Sequence, residues 1–167
     1  MFIKNLILFF AIIIIGLFQV TFANYFTVFG IKPDFLIIIV VLSGVFFSWR
    51  WSIFFSVLAG MLKDVFGLET FGIHIALFVS WGYLVFRLSK KVTIDDNASL
   101  LILVFIVVVL NGLAMRFINI SLGKPVPLGI SLRIICVESL YTALVYPVIS
   151  MIFFKVRGLD LIKGKQI

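Results

Sequence analysis

Trp51 to Tyr83 reads WSIFFSVLAGMLKDVFGLETFGIHIALFVSWGY. It is an apolar helix interrupted by small and polar residues, followed by a short polar corner and a second apolar helix. Ser52, Ser56, Gly60 and Asp64 recur in steps of four, and Gly67 follows three later, so at 3.6 residues per turn they form one stripe. A carboxylate in such a segment demands a reason. At mid-helix in a bilayer it costs about 2.5 to 3.5 kcal/mol on insertion scales, and it points into a bundle or a wet cavity. Small residues beside it let a neighbouring backbone come close. The stripe therefore predicts a helix packed inside a bundle.

The rest of the chain supplies that bundle. Of 167 residues, 63% are hydrophobic and only 13% are charged, with a mean hydropathy of +1.30. Soluble domains hold roughly 45–50% apolar residues, so the expectation is an all-α integral membrane protein with one domain over 1–167. The net charge of +7 lies at the ends of apolar runs, without the basic patch and interleaved aromatics that nucleic acid would require. The single Cys136 excludes an intrachain disulfide and, inside an apolar run, reads as a small buried hydrophobe.

Six spans are expected, at about 4–23, 34–47, 52–66, 72–88, 98–120 and 130–154, with a basic cytoplasmic tail at 155–167. The first run, Leu6 to Phe22, exceeds the 7–15 residues of a signal-peptide core and is expected to stay as a helix. Pro33 suits the first turn of the second helix, and Asp34 complements its dipole. That second helix is short enough to thin a bilayer around it. Ser48-Trp49-Arg50-Trp51 reads as an interfacial turn, with aromatics and a snorkelling cation at headgroup level. Thr93 to Asn97, and the Pro- and Gly-rich stretch from Gly123 to Gly129, read as loops. The abundant phenylalanine reads as lipid-facing surface.

With six crossings both termini share one side. Lys4, Arg50, Arg87, Lys90, Lys91, Lys155, Arg157, Lys163 and Lys165 lie there, against Lys32, Lys63, Arg116, Lys124 and Arg133 opposite. By the positive-inside rule, the side richer in cations is the cytoplasm. The tail, with Leu159, Leu161 and Ile162, reads either as a segment lying on anionic lipid or as a stop signal.

This topology gathers Pro33, Asp34, Lys63, Asp64, Arg116 and Arg133 into a polar layer in the outer half. Asp64 is expected to pair with Arg116 or Arg133, and Glu138 to be the most deeply placed acid, within reach of Asn111. Two readings stand side by side: polar glue between helices, or a docking or ligand site. On the pairing expectation Asp64→Ala strands a cation, while Asp64→Asn is milder. Catalysis is not expected. His74, the only histidine, has no HExxH partner, there is no Gly-x-Ser-x-Gly and no P-loop, and His74→Gln is expected to preserve function. No cofactor or metal is implied.

Pro33-Asp34-Phe35-Leu36, Gly60-Met61-Leu62-Lys63-Asp64-Val65-Phe66-Gly67, Phe71-Gly72-Ile73-His74 and Gly82-Tyr83, in this order, resemble the pattern of MreD, the rod shape-determining membrane proteins of bacteria. The likeness covers most of the chain. It implies a non-enzymatic scaffold or regulator in the bacterial cytoplasmic membrane, multi-pass with both termini inside. MreC would be its immediate partner, with MreB, RodA and a class B penicillin-binding transpeptidase in the same assembly. That rod complex, the elongasome, supports lateral peptidoglycan synthesis and cell shape. The resemblance also implies a fold similar to the substrate-binding S components of energy-coupling-factor vitamin transporters, and such a component is the alternative function. Those proteins carry alanines four apart on the first helix for docking, whereas Ala11 and Gly16 here are five apart.

Overall fold

The computed structural model describes residues 2–21, 27, 29–67, 70–92 and 96–157, except the side chains of 2–8, 20, 156 and 157. Glu69, the loop residues 93–95 and the tail from 158, with the side chains of Lys4 and Arg157, therefore lie outside the described residues. Within them the chain forms six helices and no strand: α1 (Phe2–Thr21), α2 (Phe35–Phe46), α3 (Trp49–Phe66), α4 (Ile73–Ser89), α5 (Asn97–Ser121) and α6 (Leu128–Arg157).

Local chemistry sets most helix ends. Asp34, in extended conformation, is the N-cap of α2 and accepts from the Ile37 amide at 3.2 Å. Pro33 therefore precedes the cap instead of filling the first turn. Asp96 caps α5 in the same way through the Ser99 amide. The end of α5 is a Schellman motif: Gly123 has φ +72°, its N–H bonds to Ile120 O at 3.1 Å, and Lys124 N–H bonds to Asn119 O at 2.9 Å. The expected turn at Ser48-Trp49-Arg50-Trp51 is shorter than read. Ser48 is the N-cap and Trp49 already starts α3, because nothing in that tetrapeptide opposes helical dihedrals once Ser48 has made the corner. The Arg50 guanidinium stacks over the Trp49 ring, 5.6 Å from its centroid.

The short α2 is the centre of the molecule. Phe35 to Gly44 are all buried, and α2 packs against each of the other five helices. A helix apolar all round is one surrounded on all sides. Its 12 residues span about 18 Å, and because protein encloses it, it need not match the thickness of any bilayer. Phenylalanine is likewise not confined to the outside: Phe35, Phe55, Phe78, Phe153 and Phe154 are buried. Phe46 meets Phe154, and Phe47 meets Phe55, edge to face with centroids 5.2 Å apart.

Around this apolar core the outer surface also carries apolar stripes, and several polar side chains are buried. Ile102, Ile106, Leu110, Leu113 and Phe117 on α5 are exposed at helical spacing, as are Leu140, Leu144, Val148 and Met151 on α6 and Phe54, Val57, Met61 and Val65 on α3. Ser43, Ser52, Ser56, Asn111, Ser139 and Thr142 are buried. Asn97–Ser121 and Leu128–Lys155 are long and apolar enough to cross a membrane. Cys136, expected inside, is exposed on α6, since it falls on that helix's outer face.

Candidate functional site

The stripe on α3 meets α4. Ser52, Ser56, Gly60 and Asp64 are all buried, and Ser52 Oγ donates to the Gly82 carbonyl at 3.3 Å. Ser56 packs against Gly82, and its hydroxyl is buried without a hydrogen-bond partner among the described residues. At Gly60 the two backbones nearly touch. A Cβ there would lie 2.6 Å from Ile75 Cα and 2.8 Å from Ile75 N. Gly67, assigned to the same stripe, is instead exposed at the C-cap of α3, because the helix ends before its face can turn inward.

The close approach delivers the N-terminus of α4 to Asp64. One carboxylate oxygen accepts from the His74 amide at 3.1 Å and lies 2.8 Å from His74 Nδ1. The other accepts from Gly72 N at 2.9 Å and Ile75 N at 3.1 Å. A helix N-terminus leaves N–H groups unpaired and carries positive partial charge, so a carboxylate placed there is doubly favoured. As a carboxylate can only accept, the Nδ1 of His74 carries the proton. Gly72 turns the chain with φ +99°, in the left-handed region that glycine enters without strain. The expected pairing of Asp64 with Arg116 or Arg133 is thus overturned, since donors from the first turn of α4 and from the His74 side chain occupy both oxygens. His74 is the partner that spacing alone did not single out, although it lies ten residues from Asp64 across the corner.

Beside it, Lys63 turns the other way and forms an ion pair with Asp34. Asp34 Oδ1 also accepts from Gln19 Nε2 at 3.3 Å, the Asp34 amide donates to Thr142 Oγ1 at 2.9 Å, and Gln19 Oε1 takes the Leu36 amide at 3.1 Å. One knot therefore joins α1, the start of α2, α3 and α6, with Pro33 buried next to it. The Lys63 side chain, at 20% relative exposure, is not fully withdrawn from the surface, which discounts the pair. Lys63→Gln is expected to cost about 1 to 2 kcal/mol. Thermal unfolding in detergent would read it, and a midpoint equal to the parent's would show that the pair contributes nothing.

Arg116, Glu138 and Asn111 come together beside this corner. They line a cleft of about 350 Å³ with Lys63, His74, Asn119 and Ser131, walled by Met115, Ile134 and Ile135. Asn111 Oδ1 accepts from Trp81 Nε1 at 3.2 Å, while Asn111 and Glu138 line the same cleft. Glu138 has interactions of its own. Arg133 is exposed, with its guanidinium 5.4 Å from the Phe29 ring centroid, so it leaves the polar layer. Among the described residues no group of three or more His, Cys, Asp or Glu side chains could hold a metal.

The fold and site define a class, an all-helical bundle with polar residues inside, apolar stripes outside and an acid-capped corner beside an open polar cleft. Comparison with protein-family models, curated proteins and solved structures finds no match for the chain.

Proposed function

We propose that the chain is a multi-pass protein of the bacterial cytoplasmic membrane, with both termini in the cytoplasm. In this reading it acts without catalysis as a scaffold or regulator of the rod complex. It binds an MreC-type bitopic protein and, within an assembly of MreB, RodA and a class B transpeptidase, supports lateral peptidoglycan synthesis and rod shape. The observation that carries the reading is the convergence of the MreD-like motifs: Gly60, Asp64, Gly72 and His74 meet at a single corner, and Lys63 links that corner to Asp34. Membrane embedding is supported by the exposed stripes of α3, α5 and α6, since contiguous apolar surface of this kind marks a membrane or protein contact.

The test is recovery of partners from native membranes with a tagged chain. An MreC-type protein at comparable yield is the expected result. Recovery of a transporter's ATPase and coupling subunits in its place would establish the S-component alternative. Orientation is tested separately, in a Cys136→Ser background, by membrane-impermeant thiol reagent applied from outside. Lys124→Cys is expected to label and Val92→Cys is not, following the nine-to-five charge bias. The reverse pattern would overturn the orientation.

A further inference from the structure

We infer that the cleft lined by Arg116, Asn119 and Glu138 is a binding site for an amphipathic molecule with a single carboxylate or phosphate group. Its volume of about 350 Å³ falls in the range of small-molecule sites, roughly 300 to 1,000 Å³. The charge balance of the lining supplies the chemistry. Lys63 is neutralised by Asp34, whereas Arg116 makes no salt bridge among the described residues. Arg116 is partly buried, and its Nη1 is covered by protein with no hydrogen-bond partner there. A buried N–H without an acceptor is costly, and the protein around Nη1 offers none. A counter-charge can reach Arg116 from the cleft that it lines, where the other N–H groups of the guanidinium suit the oxygens of a carboxylate or phosphate.

The surroundings narrow the ligand further. Asn111, Asn119 and Ser131 add amide and hydroxyl groups, while Met115, Ile134 and Ile135 give an apolar wall. One end of the ligand is therefore polar and the rest greasy. Glu138, in the same lining and engaged in interactions of its own, makes the cleft less favourable to a polyanion than to a group of single charge. Gly112 and Ile135, both in the lining, bring α5 close to α6: a Cβ on Gly112 would lie 2.7 Å from Ile135 Cγ1. The site goes beyond the scaffold reading and does not depend on which protein partner the chain binds. An acidic lipid headgroup and a free small anion share this chemistry.

The experiment is thermal unfolding of the purified chain in a non-ionic detergent, with phosphatidylglycerol, phosphatidylcholine, inorganic phosphate or acetate added at matched ionic strength. At concentrations about a hundredfold above Kd the midpoint is expected to rise by about 5 to 10 °C. A rise with phosphatidylglycerol alone identifies a lipid headgroup, and a rise with phosphate or acetate as well identifies a free small anion. In both cases Arg116→Gln abolishes the shift, and Arg133→Gln, on the exposed guanidinium, leaves it intact. Should Arg116→Gln fail to fold, Arg116→Lys decides, because an ammonium lacks the fork and the shift is expected to fall by at least half. No shift with any anionic probe, an equal shift with phosphatidylcholine, or a shift undiminished in the Arg116 variants would overturn the inference.

Discussion

Asp64→Ala is expected to lower the stability of the purified chain by about 3 to 4 kcal/mol, a drop of roughly 6 to 15 °C in the unfolding midpoint for a protein of this size. Three backbone N–H groups at the start of α4 and the ring of His74 lose their acceptor together. Loss of a helix cap alone costs about 1 to 2 kcal/mol, and each buried donor left unsatisfied adds about 1 to 3 kcal/mol before relaxation. Asp64→Asn is informative because the geometry reverses the expectation formed from a charge pair. Each carboxylate oxygen faces two donors, so an amide must turn its NH₂ group against one of those pairs. The asparagine variant is therefore expected to lose nearly as much as the alanine variant. Unfolding in detergent, with partner recovery from membranes measured in parallel, separates a structural role from a docking role. Parental stability in Asp64→Ala would show that these hydrogen bonds contribute little to the fold.

Gly60→Val is expected to be the second most damaging change, at about 3 kcal/mol, the upper part of the usual range for overpacking. The atoms a side chain would meet are backbone: Ile75 Cα at 2.6 Å, Ile75 N at 2.8 Å and the His74 carbonyl at 2.9 Å. No rotamer change can clear them. The start of α4 must move away from α3, which also lengthens the hydrogen bonds to Asp64, so the two sites are coupled and their effects are not additive. In a double-mutant cycle, Gly60→Val with Asp64→Ala is expected to cost clearly less than the sum of the single changes. Strict additivity would show that the close approach and the cap are independent.

The all-helical bundle, and the position of each helix to within a few residues, were legible in the sequence. Apolar runs separated by Pro, Gly and charged clusters carry that information locally, through hydrogen bonds made inside each segment. The sequence also showed that Ser52, Ser56, Gly60 and Asp64 share a face and that a backbone must come close to them, because helical spacing alone fixes which side chains are neighbours. What it could not supply was the partner. Formal charge pointed from Asp64 to Arg116 or Arg133, but the carboxylate is held by backbone amides at the head of α4, donors that every residue but proline carries and that no residue type announces. Lys63 pairing with Asp34, the enclosure of α2 by five helices and the cleft around Arg116 were likewise decided only by the tertiary structure. Each depends on the relative placement of segments far apart in the chain, and a helical period constrains one helix face without saying which other helix will meet it.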